Sequence, residues 1–139
     1  MSFKYDLTAN QQTPTSDSKV VLCKSFKIDI ANGSGFLTAT TYDLGWLPKE
    51  AQVVYGAVIT TTAVSGGTVS AATLSCLVGG GTVISSANVF AQGYANANSH
   101  SYTATALGQT SDQKVTYIPT LTGAGATAGV IYINIFYVI

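Results

Sequence analysis

Arginine is absent from this chain, and charge of either sign is scarce. Only 9% of its 139 residues are charged, where about a quarter is usual. Six lysines balance six acids, so no net field is available to gather nucleic acid or anionic lipid. Without a guanidinium fork, planar recognition of phosphate is a poor prospect too. His100 is the single histidine, and Cys23 and Cys76 are the only cysteines. Two isolated thiols and one distant imidazole lack the paired ligand spacing of a zinc site. Beside Leu22 and Leu77, both thiols are expected to be buried as small hydrophobes. No apolar run reaches the roughly 18 residues that a membrane-spanning helix needs. Met1-Ser2-Phe3-Lys4-Tyr5-Asp6 lacks the basic start and apolar run of a secretory leader. The expectation is a product made in the cytoplasm.

What fills the space left by charge is Thr, Ser, Ala, Asn and Gly around an apolar content of 47%. That is the composition of short strands joined by tight turns, in a chain long enough for one domain with a real core. A surface so poor in charge also costs little to desolvate, which suits burial in an assembly.

Residues 1–18 are polar and read as an N-terminal arm or lead-in to a domain over 19–139. Within the arm, Phe3, Tyr5 and Leu7 alternate as an anchor for a neighbouring subunit. Val20, Leu22, Phe26, Ile28 and Ile30 then share one parity, and Ser25, Lys27 and Asp29 hold the other, so this is a strand with one wet face. Asn32-Gly33-Ser34-Gly35 turns the chain. Strands are expected over Phe36–Leu44, Gln52–Val64, Thr68–Val78, Thr82–Ala91, Tyr102–Leu107 and Lys114–Leu121. Gly79-Gly80-Gly81 closes a hairpin, and Trp46 with Leu47 plugs one end of the domain. Pro119 has no N–H to donate, which places its strand at an edge or at its end.

The final stretch is apolar on both parities. Ile131, Ile133, Ile135, Tyr137 and Ile139 share one face, and Val130, Tyr132, Asn134, Phe136 and Val138 the other. Alternation sends these to opposite sides of a sheet, so the strand belongs in a sheet interior. Its first face should fill a core, while Tyr132, Asn134 and Phe136 meet a neighbouring subunit or covering loops. No segment keeps helical spacing. About eight strands with Gly-rich joints give an all-β antiparallel sandwich, jelly roll first and immunoglobulin-like second.

Catalytic chemistry finds no footing. His100 has no orienting carboxylate in its Ser/Asn-rich loop. Asp6, Asp17, Asp29, Asp43, Glu50 and Asp112 are scattered, without paired-carboxylate or calcium-loop spacing. Gly123-x-Gly125-x-x-Ala128 mimics a dinucleotide fingerprint, but a strand follows it where a helix must. No catalytic residue, cofactor, metal or small-molecule substrate is therefore expected. A glycan-contact loop around Tyr94, His100 and Tyr102 is the alternative, since tyrosine rings can stack on sugars.

Three stretches carry a family likeness: Leu44-Gly45-Trp46-Leu47-Pro48-Lys49-Glu50-Ala51, then Val53-Val54-Tyr55-Gly56-Ala57-Val58, and finally Thr127-Ala128-Gly129-Val130-Ile131-Tyr132-Ile133. Over roughly residues 40–139 the chain resembles small tailed-bacteriophage virion proteins, especially head decoration (cement) proteins of jelly-roll type. The resemblance implies a non-enzymatic structural protein on the capsid surface. It would bind the major capsid protein between coat subunits, often as a homotrimer, and stabilise the shell. Nucleic acid and membrane are not expected as partners. The same pattern occurs in tail and fibre components, for which the ligand would be a host-surface glycan.

Overall fold

The computed structural model describes residues 20–33, 35–90, 93–95, 112–123 and 125–139, with backbone alone at 86–87 and 93–95. Eight strands follow one another: β1 (Leu22–Asp29), β2 (Tyr42–Leu47), β3 (Gln52–Ser65), β4 (Ala71–Val78), β5 (Gly81–Asn88), β6 (Gly93–Ala95), β7 (Gln113–Thr122) and β8 (Ala128–Val138). Among the described residues there is no helix. The strands form two four-stranded sheets with orders β1-β8-β3-β6 and β2-β7-β4-β5. Every pairing is antiparallel. Two interleaved sheets in these orders are a jelly-roll sandwich, the first-choice architecture.

The core lies between the sheets and is built by alternation. Phe26 and Ile28 of β1, Val53 and Val58 of β3, and Ile131, Ile133 and Ile135 of β8 face Leu74, Cys76, Val83, Ile84, Val115 and Tyr117 of the other sheet. The β8 isoleucines are fully buried. Each such side chain contributes about 1.5–3 kcal/mol relative to exposure. β8 is an inner strand between β1 and β3, as its two-sided apolar character requires. Gly56 lets the sheets approach: a Cβ there would stand 2.7 Å from Val83 and 2.8 Å from Ile84.

Several expectations need correction. The stretch from Phe36 to Thr41 is not strand, because Ala39 takes φ 59° in a tight turn. Phe36 is still buried, and side chains fix this loop. Tyr42 Oη accepts from Leu37 N at 3.1 Å, and Thr38 Oγ1 accepts from Leu121 N at 2.6 Å. The sixth strand is Gly93–Ala95, paired with β3; the expected strand at Tyr102–Leu107 lies outside the described residues. β7 is an inner strand despite Pro119. Its carbonyl accepts from Ala39 N at 2.9 Å, so the N side of Pro119 points past the end of β2, which stops opposite Tyr117. No ladder bond is lost there. Leu47 is buried, but Trp46 is 52% exposed on the outer face beside Lys114. Cys23 is exposed; only Cys76 is buried. Ile139 ends exposed beyond the core.

The sheet edges are blunted against further pairing. β6 is three residues long, β2 carries a bulge between Asp43 and Gly45, and β1 bears Lys24 and Lys27. Lys24 Nζ donates to Trp46 O at 2.5 Å, tying the two sheets together across their open side.

Candidate interaction face

The outer face of the β1-β8-β3-β6 sheet can be built row by row from its registers. Partners opposite each other in antiparallel strands share a face. One row runs Cys23, Phe136, Tyr55; the next runs Ser25, Asn134, Ala57; a third runs Lys27, Tyr132, Ile59 and the backbone position of Tyr94. Tyr55 and Phe136 pack with ring centroids 5.9 Å apart, tilted 40°. Tyr55, Ile59, Tyr132, Asn134 and Phe136 are all half-buried. Among the described residues, charge enters this face only along β1, where Lys27 Nζ and Asp29 Oδ2 lie 3.9 Å apart. Among the described residues, β8 and β3 therefore align Tyr55, Ile59, Tyr132 and Phe136 around Asn134 as a half-buried, aromatic and charge-free patch.

The outer face of the other sheet differs in kind. It carries Thr73, Ser75, Leu77, Thr116, Ile118 and Thr120 around a Lys114–Asp43 ion pair of 2.7 Å. Lys114 Nζ also sits 5.8 Å from the Trp46 ring centroid. Such an exposed pair contributes little to stability. Aromatic, charge-poor surface is what protein–protein contacts favour at their centres, and an exposed ion pair among threonines is not. The two faces are thus chemically distinct.

One end of the sandwich adds a second apolar feature. Val20, Val21, Leu22, Trp46, Val54 and Ile139 are exposed. Leu22 pairs with Tyr137, Val53 also pairs with Tyr137, and Gln52 pairs with Val138, which brings these residues to the same pole. Gln113 shapes that end from within, donating from Nε2 to Ala51 O at 2.8 Å and to Lys49 O at 3.4 Å.

A cleft of about 370 Å³ opens on the side where β1 and β2 are neighbours. Phe26, Ile28, Leu44 and Tyr117 line it, with Lys27 and Asp43 at its rim. Tyr117 stacks on Tyr42 at 5.0 Å between centroids and donates its hydroxyl to Gly35 O at 3.0 Å. Burial, with a smaller contribution from the Tyr42 phenol, pushes the Tyr117 hydroxyl up to about 12. Burial alone pushes the Cys76 thiol up to about 12. Both groups stay protonated in neutral water and serve packing.

Of the residues singled out from sequence, Tyr132, Asn134 and Phe136 come together on the aromatic face, joined by Tyr55 and Ile59. Those two were missed because β3 reads as one continuous apolar run, and only the register with β8 tells its faces apart. Phe3, Tyr5 and Leu7 lie outside the described residues, as do His100 and Tyr102. Tyr94 belongs to β6 and not to a loop; its backbone is opposite Ile59. Among the described residues, no three His, Cys, Asp or Glu side chains gather as they would around a metal ion. No family model, curated protein or solved structure matches the chain.

Proposed function

We propose that this chain is a virion structural protein, a bacteriophage capsid decoration or cement protein that binds the outer shell between coat subunits. The observation that carries the reading is the uncharged aromatic face formed by Tyr55, Ile59, Tyr132, Asn134 and Phe136 on a rigid jelly-roll sheet. A β-sheet face fixes side chains more firmly than a loop, and half-buried rings lose little conformational entropy on docking. The jelly-roll order of the strands agrees with the likeness to decoration proteins carried by residues 40–139. In this reading the partners are the major capsid protein and two further copies in a homotrimer. The place of work is the capsid surface, after synthesis in the host cytoplasm. Neither catalysis nor a cofactor has a part in it.

The test is co-sedimentation of purified protein with capsids that lack it. Wild-type protein should saturate a fixed number of sites. Tyr132→Lys and Phe136→Lys should each lower affinity by about tenfold or more, the scale of losing an aromatic anchor, while the thermal midpoint stays close to wild type. Failure of the wild-type protein to bind, or full binding by both variants, would refute the assignment.

A further inference from the structure

Asparagine is a thermolabile residue, and most so before glycine, which puts no side chain in the way when its own nitrogen turns on the neighbouring carboxamide. Asn32-Gly33 is such a pair, and none of the other five asparagines precedes a glycine. The fold sets it in the open. Ala31, Asn32 and Gly33 are all exposed in the turn that leaves β1. Gly33 takes φ 81°, which glycine adopts at little cost, and a Cβ built there would meet no atom within 4 Å. Water and base therefore reach both the Gly33 nitrogen and the Asn32 carboxamide.

Two hydrogen bonds hold the pair back. Gly33 N donates to Ile30 O at 3.3 Å, long for an amide bond, so the nitrogen is loosely engaged. Asn32 Nδ2 donates to Asp29 Oδ2 at 2.7 Å, a short contact of the charge-assisted kind. A carboxylate only accepts, so it fixes which end of the carboxamide faces it. Lys27 Nζ lies 3.9 Å from that same oxygen and steadies it from the strand side. Donation to an anion also leaves the amide richer in electrons and its carbonyl carbon a poorer electrophile. The grip of Asp29 thus opposes attack by orientation and by charge.

We propose that Asn32-Gly33 is a self-modification site of this protein, with Asp29 as the positioning residue that sets its rate. In the reaction the Gly33 nitrogen gives its proton to base and bonds to Asn32 Cγ. The bond from Cγ to Nδ2 breaks, and that nitrogen takes up a proton and leaves as ammonia. Water then adds to either carbonyl of the resulting succinimide ring and opens it to aspartate or to isoaspartate. No oxidant or reductant takes part. The product sets a carboxylate where an amide donated to Asp29, so an attraction becomes a like-charge contact. A chain with six charges of each sign gains a net negative charge, beside Lys27 and Asp29 at the charged margin of the aromatic face.

Peptide mapping by mass spectrometry, on full-length protein held for several weeks in mildly alkaline buffer, tests this. The wild type should accumulate two products at residue 32, each heavier by the difference between O and NH, at a rate that climbs with pH. Asp29→Asn keeps the shape of the acceptor and removes its charge. It should convert Asn32 about three- to tenfold faster at an unchanged thermal midpoint, the scale of one exposed hydrogen bond. Wild-type protein unfolded in urea, with neither bond formed, should convert faster still. Asn32 left intact in the native wild type would overturn the site. Equal rates in the wild type and Asp29→Asn would overturn the role of Asp29.

Discussion

Thr60 offers the sharpest test of the packing. It lies on β3 opposite Ile131, points into the core and is 1% exposed. Its Oγ1 is the one buried side-chain polar atom among the described residues with no hydrogen-bond partner. A buried hydroxyl left unpaired costs about 1–3 kcal/mol. Thr60→Val replaces that hydroxyl with a methyl of similar size, opens no cavity and keeps the β-branched preference for strand. The variant should gain about 1–2 kcal/mol, which for a domain of this size is a rise of about 3–8 °C in the thermal midpoint. Thr60→Ser keeps the hydroxyl and deletes the methyl, and should lose about 1 kcal/mol. Urea unfolding followed by tryptophan fluorescence reads both, provided the dependence on denaturant is unchanged. A Thr60→Val protein no more stable than wild type would show that the hydroxyl is satisfied, and the argument would fail.

Other expectations follow from the same geometry. Ile135→Asp buries an unpaired carboxylate between the sheets and should abolish folding, seen as loss of the cooperative transition. Asn134→Asp on the outer face should leave that transition nearly unchanged while weakening capsid binding; equal damage from both would show that β8 is buried on both faces within one subunit. Gly56→Ala should cost about 1–3 kcal/mol in denaturant titration, because its Cβ would press on Val83 and Ile84. A thiol reagent should modify Cys23 in the native protein and reach Cys76 only on unfolding. The fold holds the protonated forms of Cys76 and Tyr117, so their contribution is complete below their unfolded values. It is lost as pH climbs from about 9 toward 12, and the urea midpoint should fall across that window.

Much of the architecture was legible because alternation is a strong signal. β8 announces an inner strand through two apolar parities, and Gly79-Gly80 marks the β4–β5 hairpin without further help. The misses share a cause: each depends on a neighbour that local pattern does not name. Phe36 has the apolar character of a strand, but a positive-φ Ala39 and the hydroxyls of Tyr42 and Thr38 fix it as a buried loop. Pro119 signals an edge strand or a strand end, yet it sits in an inner strand because β2 stops two residues earlier. Gly-Tyr-Ala at β6 is too short to show any period. Cys23 shares the parity of Ser25 on the wet face of β1, and the apolar neighbour Leu22 outweighed that signal. For the interaction face, Tyr132, Asn134 and Phe136 could be read from their parity. Tyr55 and Ile59 required the pairing of β3 with β8.

That pairing also orders events in time. β1 and β3 do not touch each other in their sheet; both depend on β8, more than a hundred residues downstream of Leu22. During refolding, strands β2, β7, β4 and β5 can assemble one sheet while the other still waits for its middle. During that interval both flanks of an apolar gap are bare, and neighbouring unfolded chains offer the same gap. Chain concentration and chaperone access should therefore bear directly on the yield of folded protein.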